Sequence, residues 1–542
     1  MSRPPIVRDV VILSAIALLV RGLAAALVSW PAYTDPAYYT LVAERIATGH
    51  GFTVPVIWSF LEVGATLPAD PVLPVASNGH WMPLTSLLPA AFMAIFGTAY
   101  GVAQVPMVLL SAALVPLTYL VGWRFWHSRT VAIGASILAL FAGPLLIMYP
   151  QVANFAPFGV TGALAIGASC LAVSARRPGP LLVAAGLAAG LATLARVDGL
   201  LLTIAPATAW LLRWRPRDGE PAWRPRPALA WGVASAAAYL AVIGPWLVRN
   251  LGTFGSPFPS AGGHTLWITD YNEQFSIGHP VTLDGYLAAG PGLIMGSKIG
   301  ALIELIGRTG VLLGGIFLVF FAYGLLRAWR RPELVPFVAT FGAVFAAMVL
   351  IFTFHAPHGA FYHGAPAWLP FAMPIAVAAV PDACVAASRW WRFLGRPATH
   401  RFVLVAGLAG AGILSVVGSL AIYGGWVDDR RIDTAAGSFF VDAGDTASVV
   451  MSDDPSALWH ASGNPGVPLP FDPYPVVEQV IRAYDVEWVV LSRRGGAEAD
   501  PLGLWEGAEA VDAAGNRASF LAADPAFEAP GVRIYRVAGT GD

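Results

Sequence analysis

Apolar residues along this chain gather in long unbroken stretches instead of alternating with polar ones. Eleven stretches come close to the roughly 20 residues a helix needs to cross about 30 Å of hydrocarbon: 9–29, 104–125, 130–149, 154–175, 180–195, 199–213, 228–248, 309–328, 334–354, 365–388 and 402–424. The pattern predicts an all-α polytopic membrane protein with about eleven spans. The first stretch follows Arg3 and Arg8 as a secretory signal would, but it is long and lacks a clear small-residue cleavage site, so it is expected to remain as a span.

The arginines test this count, because loops on the cytoplasmic side carry the excess of positive charge. With the N-terminus in the cytoplasm, alternate loops hold Arg124 and Arg129, then Arg176 and Arg177, then Arg213, Arg215, Arg217, Arg224 and Arg226. Arg327, Arg330 and Arg331 follow, then Arg389, Arg392, Arg396 and Arg401. The alternation holds only if MPLTSLLPAAFMAIFG (82–97), short and with two prolines, lies at the interface or re-enters instead of crossing. Large outer loops are then expected at about 31–103 and 249–308, and an odd number of spans puts the tail outside as well.

From about residue 427 the pattern changes. VVMSDD (449–454) and VEWVVLSR (486–493) read as buried strands, and PVVEQVIRAY (475–484) has helical spacing. The expected organisation is a membrane domain over 1–425 and a small extracytoplasmic α/β domain over 426–542, without internal repeats.

Composition agrees: 56% of the 542 residues are hydrophobic and 12% charged. A net charge of -1 gives no electrostatic basis for nucleic-acid binding. Lys298 is the only lysine, and Cys170 and Cys384 both fall in apolar runs, where they read as small core residues.

Candidate chemistry lies in the outer loops. TDPAYYTLVAERIATGHGF (34–52) reads as an interfacial helix with Asp35 as N-cap, Pro36 at the first helical position and a stop at Gly49. A capping carboxylate still has a second oxygen to offer a substrate. HTLWITDYNEQFS (264–276) supplies Trp267 and Asp270, types that stack on and hydrogen-bond to sugars, or else anchor a solvated loop. His355, His358 and His363 share no regular helical face, so contacts to sugar or phosphate are expected before a metal. Arg21, deep in the first span, needs a partner, for which Asp198 is the expected choice. Asp453 and Asp454 read as helix caps.

The segment around Asp35 resembles the first outer loop of the GT-C class of integral-membrane glycosyltransferases, in the protein O-mannosyltransferase and aminoarabinose transferase branch. GHWMPLTSLLPAAFMAIFG (79–97) is similar to that branch's His-Pro-Pro-Leu helix, with His80, Pro83 and Leu84 kept. LATLARVDGLLL (191–202) is similar to its Thr-Arg-Pro-Glu-Gly turn, with Arg196 and Asp198, and PWLVRNLGTFGSPFPS (245–260) to its Pro-Trp-x-x-Arg-Asn stretch, with Arg249 and Asn250. HGAFYHGAPAWLPF (358–371) resembles a late outer loop. Two positions depart: Pro36 stands where many members have a second acid, and YPQVANFAPF (149–158) offers Gln151 and Asn154 where an acid is common.

The resemblance implies an inverting transfer of a monosaccharide from a polyprenyl-phosphate lipid to a protein, lipid or glycan hydroxyl at the outer face of the cell membrane. It casts Asp35 as the base and Arg249, Lys298, Arg196 and Arg308 as candidates for the donor phosphate. Tyr38, Tyr39, His50, His80, Trp267, Asp270, His358 and His363 are the candidates for sugar or acceptor contacts. No cofactor is expected, a divalent cation being the alternative. The competing readings are a transporter or flippase of lipid-linked sugars, and an inactive scaffold of the same fold.

Overall fold

The computed structural model describes residues 6–214, 225–259, 264–279, 281–494, 500 and 502–539. Arg3, Arg215, Arg217 and Arg224 lie outside them, as do residues 260–263 of the second outer loop. Among the described residues eight helices are long and apolar enough to cross a membrane, and the chain is a multi-pass membrane protein. A ninth span would be the pair Gly290–Leu312 and Phe317–Ala328, bent by 105°. The two remaining apolar stretches form broken helices. Residues 130–149 give Arg129–Phe141 and Leu145–Met148, while residues 199–213 give a 3₁₀ turn, Val197–Thr203, running into Ile204–Trp214.

The first of these breaks explains Arg21. Ala142 and Gly143 take positive φ values of 43° and 60°, which interrupts the helix and strips carbonyls of their partners. Arg21, on α1 (Ile6–Leu27), fills the gap by donating to the carbonyls of Leu146, Ala139 and Leu140 at 3.1, 3.3 and 2.9 Å, with Tyr149 under its guanidinium. The expected pairing with Asp198 is not made, because backbone acceptors are closer at hand and Asp198 is bound to Arg196 instead.

The loops expected on the outer side contain the elements around Asp35. α2 (Thr34–Ala47) follows α1, and the hairpin strands β1 (Thr53–Val54) and β2 (Val75–Ala76) come next. MPLTSLLPAAFMAIFG forms α3 (Leu84–Phe96), whose 13 residues are too few to span. The loop expected at 249–308 is shorter, since flanking helices reach Phe254 on one side and begin at Leu283 on the other. Close backbone approach sets the late outer segment against the bundle. A Cβ at Gly162 would stand 2.5 Å from that of Ala367, so only glycine lets residues 365–367 sit down on helix Phe155–Ser174.

The last helix is continuous from Pro397 to Ala443, far beyond the apolar stretch, and leads into a five-stranded mixed sheet. β3 (Val449–Ser452) lies parallel to both β4 (Gly466–Pro468) and β5 (Val486–Ser492). β6 (Phe527–Ala529) and β7 (Val532–Arg536) complete the order β4-β3-β5-β7-β6, with β5 and β6 both antiparallel to β7. Helix Tyr474–Ala483 buries Val477, Val480 and Ile481 against the sheet. The core of this unit also takes in Ile57 and Phe60 from the segment between β1 and β2. There the chain runs as an extra edge segment: Ile57 N–H donates to Gly466 O at 3.0 Å, and Gly466 N–H to Pro55 O at 3.2 Å.

Candidate active site

α2 begins two residues earlier than its sequence suggests. Tyr33 is the N-cap, extended at φ -160° and ψ 179°, and makes no side-chain cap bond. Asp35 therefore sits in the first turn, not at the cap, and its carboxylate is not spent on backbone N–H groups. Pro36 costs the helix nothing there, because first-turn N–H groups lack intrahelical acceptors.

Asp35 is largely enclosed, with 21% of its side chain exposed. Burial raises its pKa to about 7; the nearby Arg196 charge opposes the rise and Asp454 adds to it. His363 Nε2 lies 3.6 Å from Asp35 Oδ2. Burial, aided by Arg196, holds this imidazole well below its usual range, so it faces Asp35 as the neutral ring. Its other nitrogen, Nδ1, is 2.6 Å from Asn154 Oδ1, and the ring stacks on Phe155 with centroids 4.1 Å apart. The amide of Asn154 donates in turn to the Tyr39 hydroxyl at 3.3 Å. Arg196 forms a bidentate pair with Asp198 at 2.8 and 3.1 Å and reaches Ala360 O at 3.4 Å.

Beneath the helix, Tyr39 stacks on Trp81 at 5.1 Å and Trp81 on Trp58 at 4.3 Å, with the Tyr38 edge 4.7 Å from Trp81. Tyr38 and Tyr39 are 0% and 1% exposed, so they anchor α2 and present little surface to a sugar. The Tyr38 hydroxyl donates to Glu62 Oε1 and accepts from Asn78 N–H at 2.9 Å. Burial raises Glu62 to about 8, so it is mainly protonated at neutral pH.

A second group of rings lies nearby. His80 packs 5.2 Å from Trp58 and is held neutral by burial and by the neighbouring His355 and Arg196. Tyr271 stacks on His358 at 3.9 Å and stands edge-on to His355 at 6.0 Å. His358 Nδ1 donates to Phe354 O at 2.7 Å. Both ring nitrogens of His355 are buried without a hydrogen-bond partner, leaving polar capacity that the protein does not use. His355 and His358 thus share Tyr271, while His363 goes to Asp35 and Asn154.

The four candidate cations divide by their partners. Arg196 is neutralised by Asp198 and Arg308 by Glu304 at 2.9 Å, while Arg308 also donates to Pro357 O. Arg249 and Lys298 make no ion pair among the described residues. Arg249 donates to Ser77 O at 2.9 Å and Asn250 Oδ1 at 3.1 Å, with its guanidinium over Trp246 and Phe254 at 4.7 and 4.9 Å. Lys298 donates to the Tyr286 hydroxyl at 3.1 Å and Leu350 O at 2.8 Å. Arg249 is linked to α2 through consecutive residues, since Ser77 precedes the Asn78 that bonds Tyr38.

Other candidates are spent locally. Asp270 caps its own 3₁₀ turn through Asn272 N–H at 2.8 Å, His50 Nδ1 meets Thr48 Oγ1 at 2.9 Å on the surface, and Trp267 packs 5.9 Å from Tyr286.

No family description and no curated protein matches the sequence. Solved structures do. The chain is similar to ArnT from Cupriavidus metallidurans bound to undecaprenyl phosphate, at 14% identity over 98% of both chains with a TM-score of 0.56. The apo state of ArnT from the same organism gives 12% identity, the same coverage of both chains and a TM-score of 0.54. An oligosaccharyltransferase, AglB from Archaeoglobus fulgidus, gives 14% identity over 89% of this chain and 69% of its own, with a TM-score of 0.48. These neighbours are glycosyltransferases of the GT-C class, and at such identities what this chain shares with ArnT is the fold.

Proposed function

We propose that this protein is an inverting glycosyltransferase that moves a monosaccharide from a polyprenyl-phosphate lipid to an acceptor hydroxyl at the outer membrane face. The observation that carries the reading is Asp35: a carboxylate free of capping bonds, enclosed at the start of an interfacial helix, with a titration point near neutrality. A general base works best with a pKa near the working pH.

In the reaction the acceptor oxygen attacks the anomeric carbon, and the bond from that carbon to the phosphate oxygen breaks. The acceptor proton passes to Asp35, and the electron pair leaves with the lipid phosphate. Arg249 is the favoured phosphate partner because no carboxylate neutralises it and its planar fork suits a phosphate, with Lys298 the second such cation. His355, with both nitrogens unpaired, and His358 suit sugar hydroxyls. Arg196 acts on Asp35 by charge, resisting its full protonation. The positions of the cytoplasmic arginines support an outward-facing site and tail. Asp9 and Arg21, the buried charged groups of the first helix, are spent on Arg129 and on backbone carbonyls, which favours a structural role over a transport path.

Purified full-length protein offered a panel of polyprenyl-phosphate monosaccharides is expected to release polyprenyl phosphate from one of them and to give a product of inverted anomeric configuration. Absence of release from every donor, together with passage of such lipids across vesicles carrying the protein, would shift the reading to a flippase.

A further inference from the structure

The sheet domain holds no expected chemistry, yet several of its side chains end on the segments that frame Asp35. Thr34 Oγ1 donates to Asp454 Oδ2 at 2.6 Å. Asp454 Oδ1 caps helix Pro455–Ser462 through Ala457 N–H at 3.0 Å, and Arg494 donates to Oδ2 at 3.0 Å while also binding Asp433 on the last helix. One turn along α2, His460 Nε2 donates to Ala37 O at 2.9 Å. The second outer loop is held from the same domain: Asp472 accepts from Ile277 and Gly278 N–H at 2.7 and 3.0 Å, and Ser276 Oγ donates to Phe471 O at 2.5 Å.

We infer that the C-terminal sheet domain is a positioning part of the active site, in which Asp454, fixed by Arg494, grips Thr34 and thereby aims the adjacent Asp35. The inference rests on the role proposed for Asp35. An exposed latch would contribute little, but Asp454 is 5% exposed and ties its three partners in one place. The latch also has an electrostatic side. Asp35 is faced by Arg196 and its partner Asp198, by neutral His363, by Tyr33, Tyr39 and Tyr271, and by Asp454. Of these, Asp454 is the carboxylate that acts against ionisation of Asp35.

The test uses full-length protein in lipid nanodiscs and needs no substrate. An infrared pH titration, differenced against Asp35→Asn to isolate one acid among 33, follows the protonated Asp35 carbonyl band. In Asp454→Asn, which keeps a good N-cap residue, the midpoint is expected to fall by roughly half to one pH unit, the scale of one nearby charge in a partly screened site. An unchanged midpoint overturns the inference. Thr34→Val, which removes only the hydroxyl, gives an independent readout by amide exchange over residues 35–40, expected to be about tenfold faster. Unchanged exchange overturns the positioning role, whether or not Asp454→Asn folds. Failure of the base assignment would appear elsewhere, as wild-type turnover in Asp35→Asn.

Discussion

His363 presents Nε2 to Asp35 at 3.6 Å while Asn154 holds its Nδ1 from behind at 2.6 Å. With Nδ1–H donating to the amide oxygen, the nitrogen facing Asp35 carries no proton and can accept one. Asn154 stands in the stretch where the resemblance led an acid to be expected, and its neutral amide suits this arrangement because it fixes the tautomer without adding a charge beside Asp35.

Asn154→Ala frees the His363 ring and leaves the Tyr39 hydroxyl without its donor. Turnover is expected to fall by about 10- to 100-fold with KM for the donor little changed, as for removal of an orienting partner. Steady-state kinetics on the donor identified by the panel check this.

The raised pKa of Asp35 fixes two signs. If the ionised carboxylate is the base, kcat/KM rises with pH through about 7. For folding, the native state holds this proton to higher pH than the unfolded chain, so the site costs stability progressively from about pH 4 to about pH 7 and fully above it. Asp35→Asn is therefore expected to be more stable than wild type at pH 8, by an amount on the order of 1–4 kcal/mol and visible as a higher melting temperature, and to be equally stable at pH 4.

Arg249→Met removes the charge assigned to the donor phosphate. KM for the donor is expected to rise by about 30- to 100-fold, equivalent to about 2–3 kcal/mol. Arg249→Lys should recover only part of this, since an ammonium cannot reproduce a bidentate fork. Binding of undecaprenyl phosphate by the two variants and the wild type gives the same comparison without turnover.

The proposed orientation is testable by labelling. Cys170 and Cys384 are buried, so a cysteine introduced at exposed Ala513 is the reactive site. A membrane-impermeant maleimide is expected to label it in intact cells. Labelling only after the inner face is opened would place the tail in the cytoplasm and require α3 to cross.

Much of the bundle was legible because hydropathy reports length and burial in lipid directly. Each apolar stretch became helix, and the strands and helix of the tail formed where alternation and spacing placed them. Breaks inside helices were less visible: the turn at Ala142 and Gly143 depends on Arg21, more than a hundred residues away, to satisfy its carbonyls. For the same reason Arg21 could be recognised as needing a partner but not matched to one. Asp35 stood out because it opens a short polar stretch directly after the first long apolar run. Its exact place in the helix did not, since an Asp-Pro pair reads equally as cap and first residue. Asn154, Glu62 and Asp454 contribute through contacts that join distant segments, which no local spacing encodes. Asp454 could be read as a cap, and its second oxygen, the one that reaches Thr34, could not.

The central claim is that Asp35 removes the acceptor proton. Transfer from the active polyprenyl-phosphate sugar, measured for wild type and Asp35→Asn at pH 8 with donor binding measured in parallel, tests it most directly. Asp35→Asn is expected to bind donor normally and to lose about 10²- to 10⁴-fold in turnover, the usual contribution of a positioned base. Equal turnover in the two proteins would contradict it.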